Sequence, residues 1–480
     1  MKESLFSKKI PYFSLIAALA RKQHNHVWLV GGFLRDIYLK RTKELCDFDF
    51  CVEKKARFFA SAFAKKIHSK YIVLDERQGS FRVILKRNKK IYTYDFTRMR
   101  GKDIREDLSL RDFSINTLAL PLDASQAPLI DYFQGRKDMR KKIIRTVQER
   151  VIVEDPLRIL RGFSFMVNYG CRLEKNTQKA MVKHKHLLRN VSRERINEEL
   201  FKIFASSSSY PAIKRMDEFK IIDEIIPQVS RCRGVLQGGY HHLDVWQHSL
   251  EALREFELLY RRRLVKHKEL REYLQEELAQ GRRRFQIIKL ACLLHDIGKP
   301  LAKRKKGKRT IFHMHEKIGR DLMEHVAKGL RLSLREKDLL KKLTFWHLRP
   351  GYLADQVTPS QRAIYHFFRD TEEEGAAVIV LSLSDWRATR GPLTNAYKRK
   401  RHEKVMFGLM NGYFTNKKKK PLPRLVDGYD VMRKFNITPS PLVGKILKKI
   451  KEEQVLGKVK NKNQAYLVAK DLVKKAKVSG

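Results

Sequence analysis

The chain has 480 residues, 42% of them hydrophobic, which rules out a disordered polymer and leaves room for several domains. Lys and Arg total 103 against 53 Asp and Glu, a formal net charge of +50, so the surface suits a polyanionic partner, most economically a nucleic acid. The five cysteines, Cys46, Cys51, Cys171, Cys232 and Cys292, form no C-x-x-C pair, which argues against a disulfide framework or a structural zinc site and suits a reducing cytoplasm.

Near the start, Lys8 and Lys9 precede a short apolar run, residues 12–20, that weakly imitates a signal peptide. Its brevity and the strand that follows read instead as an amphipathic lead-in helix. No later run approaches the ~18 apolar residues of a membrane span, so no membrane partner is expected. Short β-rich runs follow at 27–30, 48–52, 71–74, 81–85 and 91–96, with a helical stretch at 57–69. They predict a small α/β domain with a mostly antiparallel or mixed sheet. From about Asp138 helical periodicity dominates, broken by expected loops at 206–210, 234–240 and 303–309. A run of four lysines followed by Pro-Leu-Pro, residues 417–423, marks a further boundary before a Lys-rich helical tail.

Within the α/β part, Leu29-Val30-Gly31-Gly32-Phe33-Leu34-Arg35-Asp36 reads as strand, tight turn and helix start. Two glycines let a triphosphate approach backbone N–H groups, and Arg35, one turn into the helix, can meet phosphate. Such a turn is common by itself. Asp47-Phe48-Asp49-Phe50 adds chemistry. Strand residues two apart share a face, so Asp47 and Asp49 project together while the phenylalanines enter the core. Adjacent carboxylates on one strand repel unless a hard divalent ion, Mg²⁺ above all, joins them. Such ions align a hydroxyl and a triphosphate for in-line displacement. Asp95 is a candidate third acid on a neighbouring strand.

These motifs resemble the head of the class II tRNA nucleotidyltransferases, the CCA-adding enzyme and bacterial poly(A) polymerase family. Arg111-Asp112-Phe113-Ser114-Ile115-Asn116 resembles its ribose- and phosphate-recognising block, with Leu110 in place of the first Arg of the usual pair. Asp131 to Gly135, with Asp138 and Arg145, resembles the hinge. Residues 191–204, with Arg193, Arg195 and Glu199, resemble the neck helix. Glu154-Asp155-Pro156-Leu157-Arg158 with Arg161 matches the base-selecting motif. Asp155 and Arg158, three apart, are expected on one helix face. There a carboxylate accepts from the exocyclic amine of cytosine or adenine and a guanidinium donates to the ring nitrogen beside it.

Further on, His248, His295-Asp296 and Asp385 fall in a helical region, with His315 and His347 between them. Imidazoles and carboxylates on separate helices build transition-metal sites. The order resembles the HD phosphohydrolase superfamily. That likeness implies His248, His295, Asp296 and Asp385 as ligands of a divalent transition metal, extended by His315 and His347 to a second ion. His241 and His242 are alternatives for the first histidine.

The resemblance implies a polymerase-beta-like α/β nucleotidyltransferase head at 1–137, a helical neck at 138–233, an HD-type domain at 234–420 and a tRNA-binding tail at 421–480. It implies Asp47 and Asp49 as catalytic Mg²⁺ ligands. Gly31, Gly32, Arg35, Arg111, Asp112, Asn116, Asp155, Arg158 and Arg161 would form the nucleotide site. Addition of C, and of A, to tRNA from CTP and ATP is the implied activity. The connection 96–110 is short, a form that CC-adding members resemble. An A-adding enzyme, a poly(A) polymerase and an RNA-binding HD phosphohydrolase without transferase activity are the alternatives. Oligomeric state is left open.

Overall fold

The computed structural model describes residues 9–41, 46–122, 128–239, 241–279, 281–307, 309–356, 358–419 and 422–478. Lys8, Tyr240 and residues 420–421 of the expected boundaries lie outside them. The chain divides into two compact units, Met1–Ile225 and Ile226–Gly480.

The first unit opens with the lead-in helix Phe13–Lys22. Its six-stranded sheet comprises β1 (Val27–Val30), β2 (Asp47–Val52), β3 (Tyr71–Asp75), β4 (Ser80–Arg87), β5 (Lys90–Arg98) and β6 (Ala119–Pro121). The spatial order is β3-β4-β5-β2-β1-β6. Only β2 and β5 run parallel in this sheet, so it is mixed. β6 carries no period long enough to read in the sequence and ends at Pro121, as an edge strand can. Phe48, Phe50, Tyr94 and Phe96 are buried where β2 and β5 pair. Phe50 and Phe96 stack at 5.1 Å between centroids, and Phe59 and Phe63 of helix Ala56–Lys66 close over them. Each such ring contributes roughly 1.5–3 kcal/mol of apolar burial. The alternate residues, Asp47 and Asp49, face out of that core.

Short helices then carry the chain away from the sheet. Helix Arg150–Glu154 ends at Asp155, which is extended (φ −139°, ψ 92°), and helix Arg158–Tyr169 begins three residues later. Asp155 and Arg158 therefore do not share a helix, contrary to expectation. The residue before a proline avoids the helical region, and Pro156 breaks the run here. Helix Arg193–Ala205 packs on helix Arg158–Tyr169.

The second unit is helical. Helices Val245–Arg262, Arg284–Leu294, Leu334–Trp346 and Gly375–Ala388 pack together, with His315–Gly329 against Leu334–Trp346. The stretch expected as a loop at 303–309 is instead a small hairpin, Arg304–Lys306 paired antiparallel with Arg309–Ile311. Three helices, Gly428–Phe435, Pro441–Val455 and Lys462–Val478, close on their own core of Val431, Ile446, Ile450, Ala465 and Ala469.

Candidate active sites

In the first unit a cavity of about 750 Å³ opens beside the exposed face of β2. Gly31, Gly32, Arg35, Asp47, Asp49, Arg111, Asp112, Asn116, Asp155, Arg158 and Arg161 all line it. Residues spread over 131 positions of sequence thus meet in one place. β1 and β2 set its floor, with Val30 opposite Asp49. Gly31 has φ +78°, and a Cβ there would meet Asp49 Oδ2 at 2.9 Å. Only glycine lets the turn come so close to the acid.

Asp95 lies in register beside Asp49 on β5, but Arg82 holds both its oxygens at 2.7 Å. Asp47 accepts from Thr93 Oγ1. Enclosure by protein raises the Asp49 carboxyl above its ordinary range; Arg111 opposes this, and Asp95 and Asp47 add to it. A cation between Asp47 and Asp49 relieves the repulsion, so the donor set fits a hard divalent ion.

A chain of hydrogen bonds runs along one wall. Arg35 donates Nε and Nη2 to Asp36 at 2.9 and 3.0 Å, and Nη1 to Asn116 Oδ1 at 2.7 Å. Asn116 Nδ2 donates to Asp112 Oδ1 at 2.9 Å, and Arg161 grips Asp112 Oδ2 at 2.9 and 2.7 Å. Burial works against charge on Asp112, but Arg161 and Asn116 prevail and hold its carboxyl below the ordinary range. Arg35 thus spends its guanidinium on neighbouring side chains, and its Cζ sits 4.6 Å from the Tyr169 ring centroid. Arg111, by contrast, has a buried Nε with no hydrogen-bond partner. The buried carboxylate of Asp107 holds Arg111 Nη2 at 3.2 Å and Arg100 Nε at 3.5 Å, and both arginines line the cavity. Sequence reasoning missed Asp107 and Arg100. Asp107 sits in an acidic first turn, where a carboxylate usually only caps. Asp155 pairs with Arg195 at 2.9 Å, and Arg158 donates Nη1 to Val151 O at 3.0 Å.

The second unit gathers His248, His295, Asp296, His315, His347 and Asp385. His248 Nε2 lies 2.9 Å from Asp385 Oδ1 and 3.8 Å from Asp296 Oδ2, and His295 Nε2 lies 3.3 Å from that same oxygen. The other oxygen, Oδ1, faces His315 Nε2 at 3.3 Å and His347 Nε2 at 3.6 Å. Asp296 belongs to both candidate metal-holding groups, His248–His295–Asp296 and Asp296–His315–His347. His241 packs edge-on against His248 at 4.7 Å between centroids, and His242 is exposed.

One device recurs at three of these histidines. Nδ1 of His295, His315 and His347 bonds the carbonyl three residues earlier, at 3.0, 2.8 and 2.7 Å. That bond fixes the ring and leaves Nε2 free to bind. Each of the three Nε2 atoms, and Asp296 Oδ1, is buried with no hydrogen-bond partner. Buried unpaired polar atoms converging on one point fit divalent metal.

The fold is that of a polymerase-beta-like α/β head followed along the chain by a helical HD-type unit. Family models agree in chain order: a poly A polymerase head domain matches 27–145, a probable RNA- and SrmB-binding site of polymerase A 170–232, an HD domain 241–389, and a putative tRNA nucleotidyltransferase domain 2 415–469. The A-adding tRNA nucleotidyltransferase of Deinococcus radiodurans is 27% identical over 91% of this chain and 93% of its own. The CC-adding tRNA nucleotidyltransferase of Thermus thermophilus is 27% identical over 91% of both. The fold is also that of the Thermotoga maritima CCA-adding enzyme complexed with tRNA (TM-score 0.66, 19% identity, 98% of both chains). The chain is thus similar over about nine-tenths of its length to tRNA nucleotidyltransferases, and it matches a poly A polymerase head domain and an HD domain in the same order along the sequence.

Proposed function

We propose that this chain extends the 3′ end of tRNA without a template, taking nucleotides from CTP and ATP, in a reducing cytoplasm. The observation that carries the reading is the single cavity uniting the paired acids of β2 with Arg111, Asn116, Asp155 and Arg158. The tRNA 3′-hydroxyl attacks the α-phosphate of the bound nucleotide; a new P–O bond forms and pyrophosphate leaves. Asp47 and Asp49 would hold Mg²⁺, which offsets phosphate charge when bound. Arg111 steadies phosphates. Asp112 and Asn116, aligned by Arg161, hold the sugar. In the second unit His248, His295, Asp296 and Asp385 would hold a divalent transition metal for phosphoester hydrolysis. No helix among the described residues is long and apolar enough to cross a membrane.

Base choice falls to Asp155 and Arg158, which reach the cavity from separate turns rather than one helix face. Arg158→Ala is expected to cut discrimination of CTP or ATP over UTP or GTP by ~10–100-fold, the worth of one buried hydrogen-bonding partner. Single-turnover incorporation of each of the four nucleotides measures it. Unchanged selectivity would remove Arg158 from base recognition.

Asp107 positions Arg111. Asp107→Asn is expected to raise KM for the triphosphate roughly tenfold, about 1.4 kcal/mol, with a smaller change in kcat. A fall in kcat at constant KM would show that the carboxylate acts elsewhere.

The class is tested with tRNA truncated at its 3′ end, Mg²⁺, and CTP or ATP singly and together, sized on a gel. No extension under any condition would leave an RNA-binding phosphohydrolase as the better reading. The same gel decides the extent of addition. Only five residues, 99–103, separate β5 from helix Ile104–Ser109, and this compact connection keeps addition of C alone as the alternative to addition of C and A. Products that reach the terminal A would overturn the CC-only reading.

A further inference from the structure

The hairpin Arg304–Ile311 belongs to the HD centre by its attachments. The segment before it starts at Lys299, whose Nζ donates to Asp296 Oδ2 at 2.6 Å. The residue after it, Phe312, gives its carbonyl to His315 Nδ1. At the base, a Cβ on Gly298 would meet His315 O at 2.1 Å, so the two stems are clamped together beside the ligands. Three strand residues at ~3.3 Å each carry the tip about 10 Å from that base.

Its chemistry is one-sided. Between Asp296 and Glu316 the chain has seven Lys and Arg and no acid. Lys303, Arg304, Lys305 and Lys306 are exposed, and among the described residues none of them pairs with a carboxylate. Elsewhere on this surface lysines commonly find acids, as Lys337 and Lys341 both do on Glu324. Exposed apolar side chains, Leu301, Ile311 and Met314, lie beside the cations. A run of exposed cations with no acid among them suits the phosphate backbone of a nucleic-acid strand.

We infer that this hairpin recruits RNA to the HD centre, so that the centre takes phosphate esters carried on an RNA strand in preference to free mononucleotides. The inference rests on the phosphohydrolase reading above for the centre's chemistry, while the hairpin's contact with RNA stands apart from it. The phosphate to be cleaved lies at the Asp296 and histidine cluster. Lys303, Lys305 and Lys306 meet phosphates further along the same strand, which a mononucleotide lacks.

Two measurements on the full chain test this, each with the triple variant Lys303→Ala, Lys305→Ala, Lys306→Ala. The first crosslinks a 4-thiouridine oligoribonucleotide ending in a 3′-phosphate and maps the peptides. Crosslinks within 301–314 are expected, lost in the variant, and no crosslink there in the parent chain would overturn the inference. The salt dependence of binding should flatten by about 2 in log–log slope, at ~0.7 per single-strand phosphate contact. The second compares hydrolysis of that oligonucleotide with hydrolysis of p-nitrophenyl phosphate, with divalent metal added. The variant should raise KM for the oligonucleotide roughly tenfold and leave the small ester unchanged. Equal effects on both substrates would overturn the inference. If neither is hydrolysed by the parent chain, the phosphohydrolase reading fails and the crosslink alone decides the hairpin. CTP incorporation into truncated tRNA should be unaltered, and its parallel loss would reassign the hairpin to the transfer reaction.

Discussion

Asp49→Asn should abolish incorporation of CTP into truncated tRNA, lowering the rate by ~10³-fold or more, while metal-stimulated hydrolysis by the second unit persists. The substitution keeps shape and removes one charge from the pair that, on the proposed reading, would hold a cation against a triphosphate. Losing ~4 kcal/mol of charge stabilisation in the transition state corresponds to that factor. Asp95 cannot take over, because Arg82 holds both its oxygens. Folding should not suffer. The surroundings of Asp49 already disfavour its charged form, through enclosure and through Asp95 and Asp47. A neutral side chain there should hold or raise Tm. Radiolabel incorporation and a thermal melt measure both arms. Activity within tenfold of the parent would sink the paired-carboxylate reading of β2.

Asp296→Asn should release metal from both halves of the HD centre. Its two oxygens face different histidine pairs, so one substitution touches every ligand group. Metal content by mass spectrometry of the purified chain should fall to background. His347→Ala, which touches only the Oδ1 side, should lose about half. The larger change also threatens folding, because Lys299, itself buried, would lose the negative charge of Asp296 and face the neutral Gln237. Breaking a buried ion pair from one side costs ~3–5 kcal/mol. The charge of Asp296 follows the same logic. Burial opposes it, yet Lys299 and His295 hold the carboxyl well below the ordinary range. A depressed carboxyl contributes stability at neutral pH and loses it as the pH falls toward the folded value, so the second unit should be acid-labile. Equal metal loss in the two variants would show that the ions do not divide between the oxygens.

Much of this was legible in the sequence, for physical reasons that also mark where legibility ended. The period of two in Asp47-Phe48-Asp49-Phe50 is a direct statement about faces, and burial alternates with it over these four residues before Cys51 and Val52 are both buried. The HD histidines stood out through their order, His248, His295-Asp296 and Asp385, within a helical region, and the structure sets each at or near a helix end. Asp155 and Arg158 were placed on one helix by spacing alone, and Pro156 between them was the neglected signal. Asp107 carried none: a buried acid that grips two arginines looks in sequence like any acid in a first helical turn. The hairpin at 304–311 was hidden by its charge, since lysines lower strand propensity and their run read as a solvated loop.

The closeness of Gly31 to Asp49 has a consequence for how this chain can diverge. A methyl group at position 31 fits only if the carboxylate 2.9 Å away retreats or shrinks, and β2 fixes where that carboxylate stands. Every side chain that would make room at position 49 also removes the acid. On the proposed role of Asp49 the two positions are therefore epistatically locked, and a lineage that leaves this pair behind crosses through an intermediate without transfer activity.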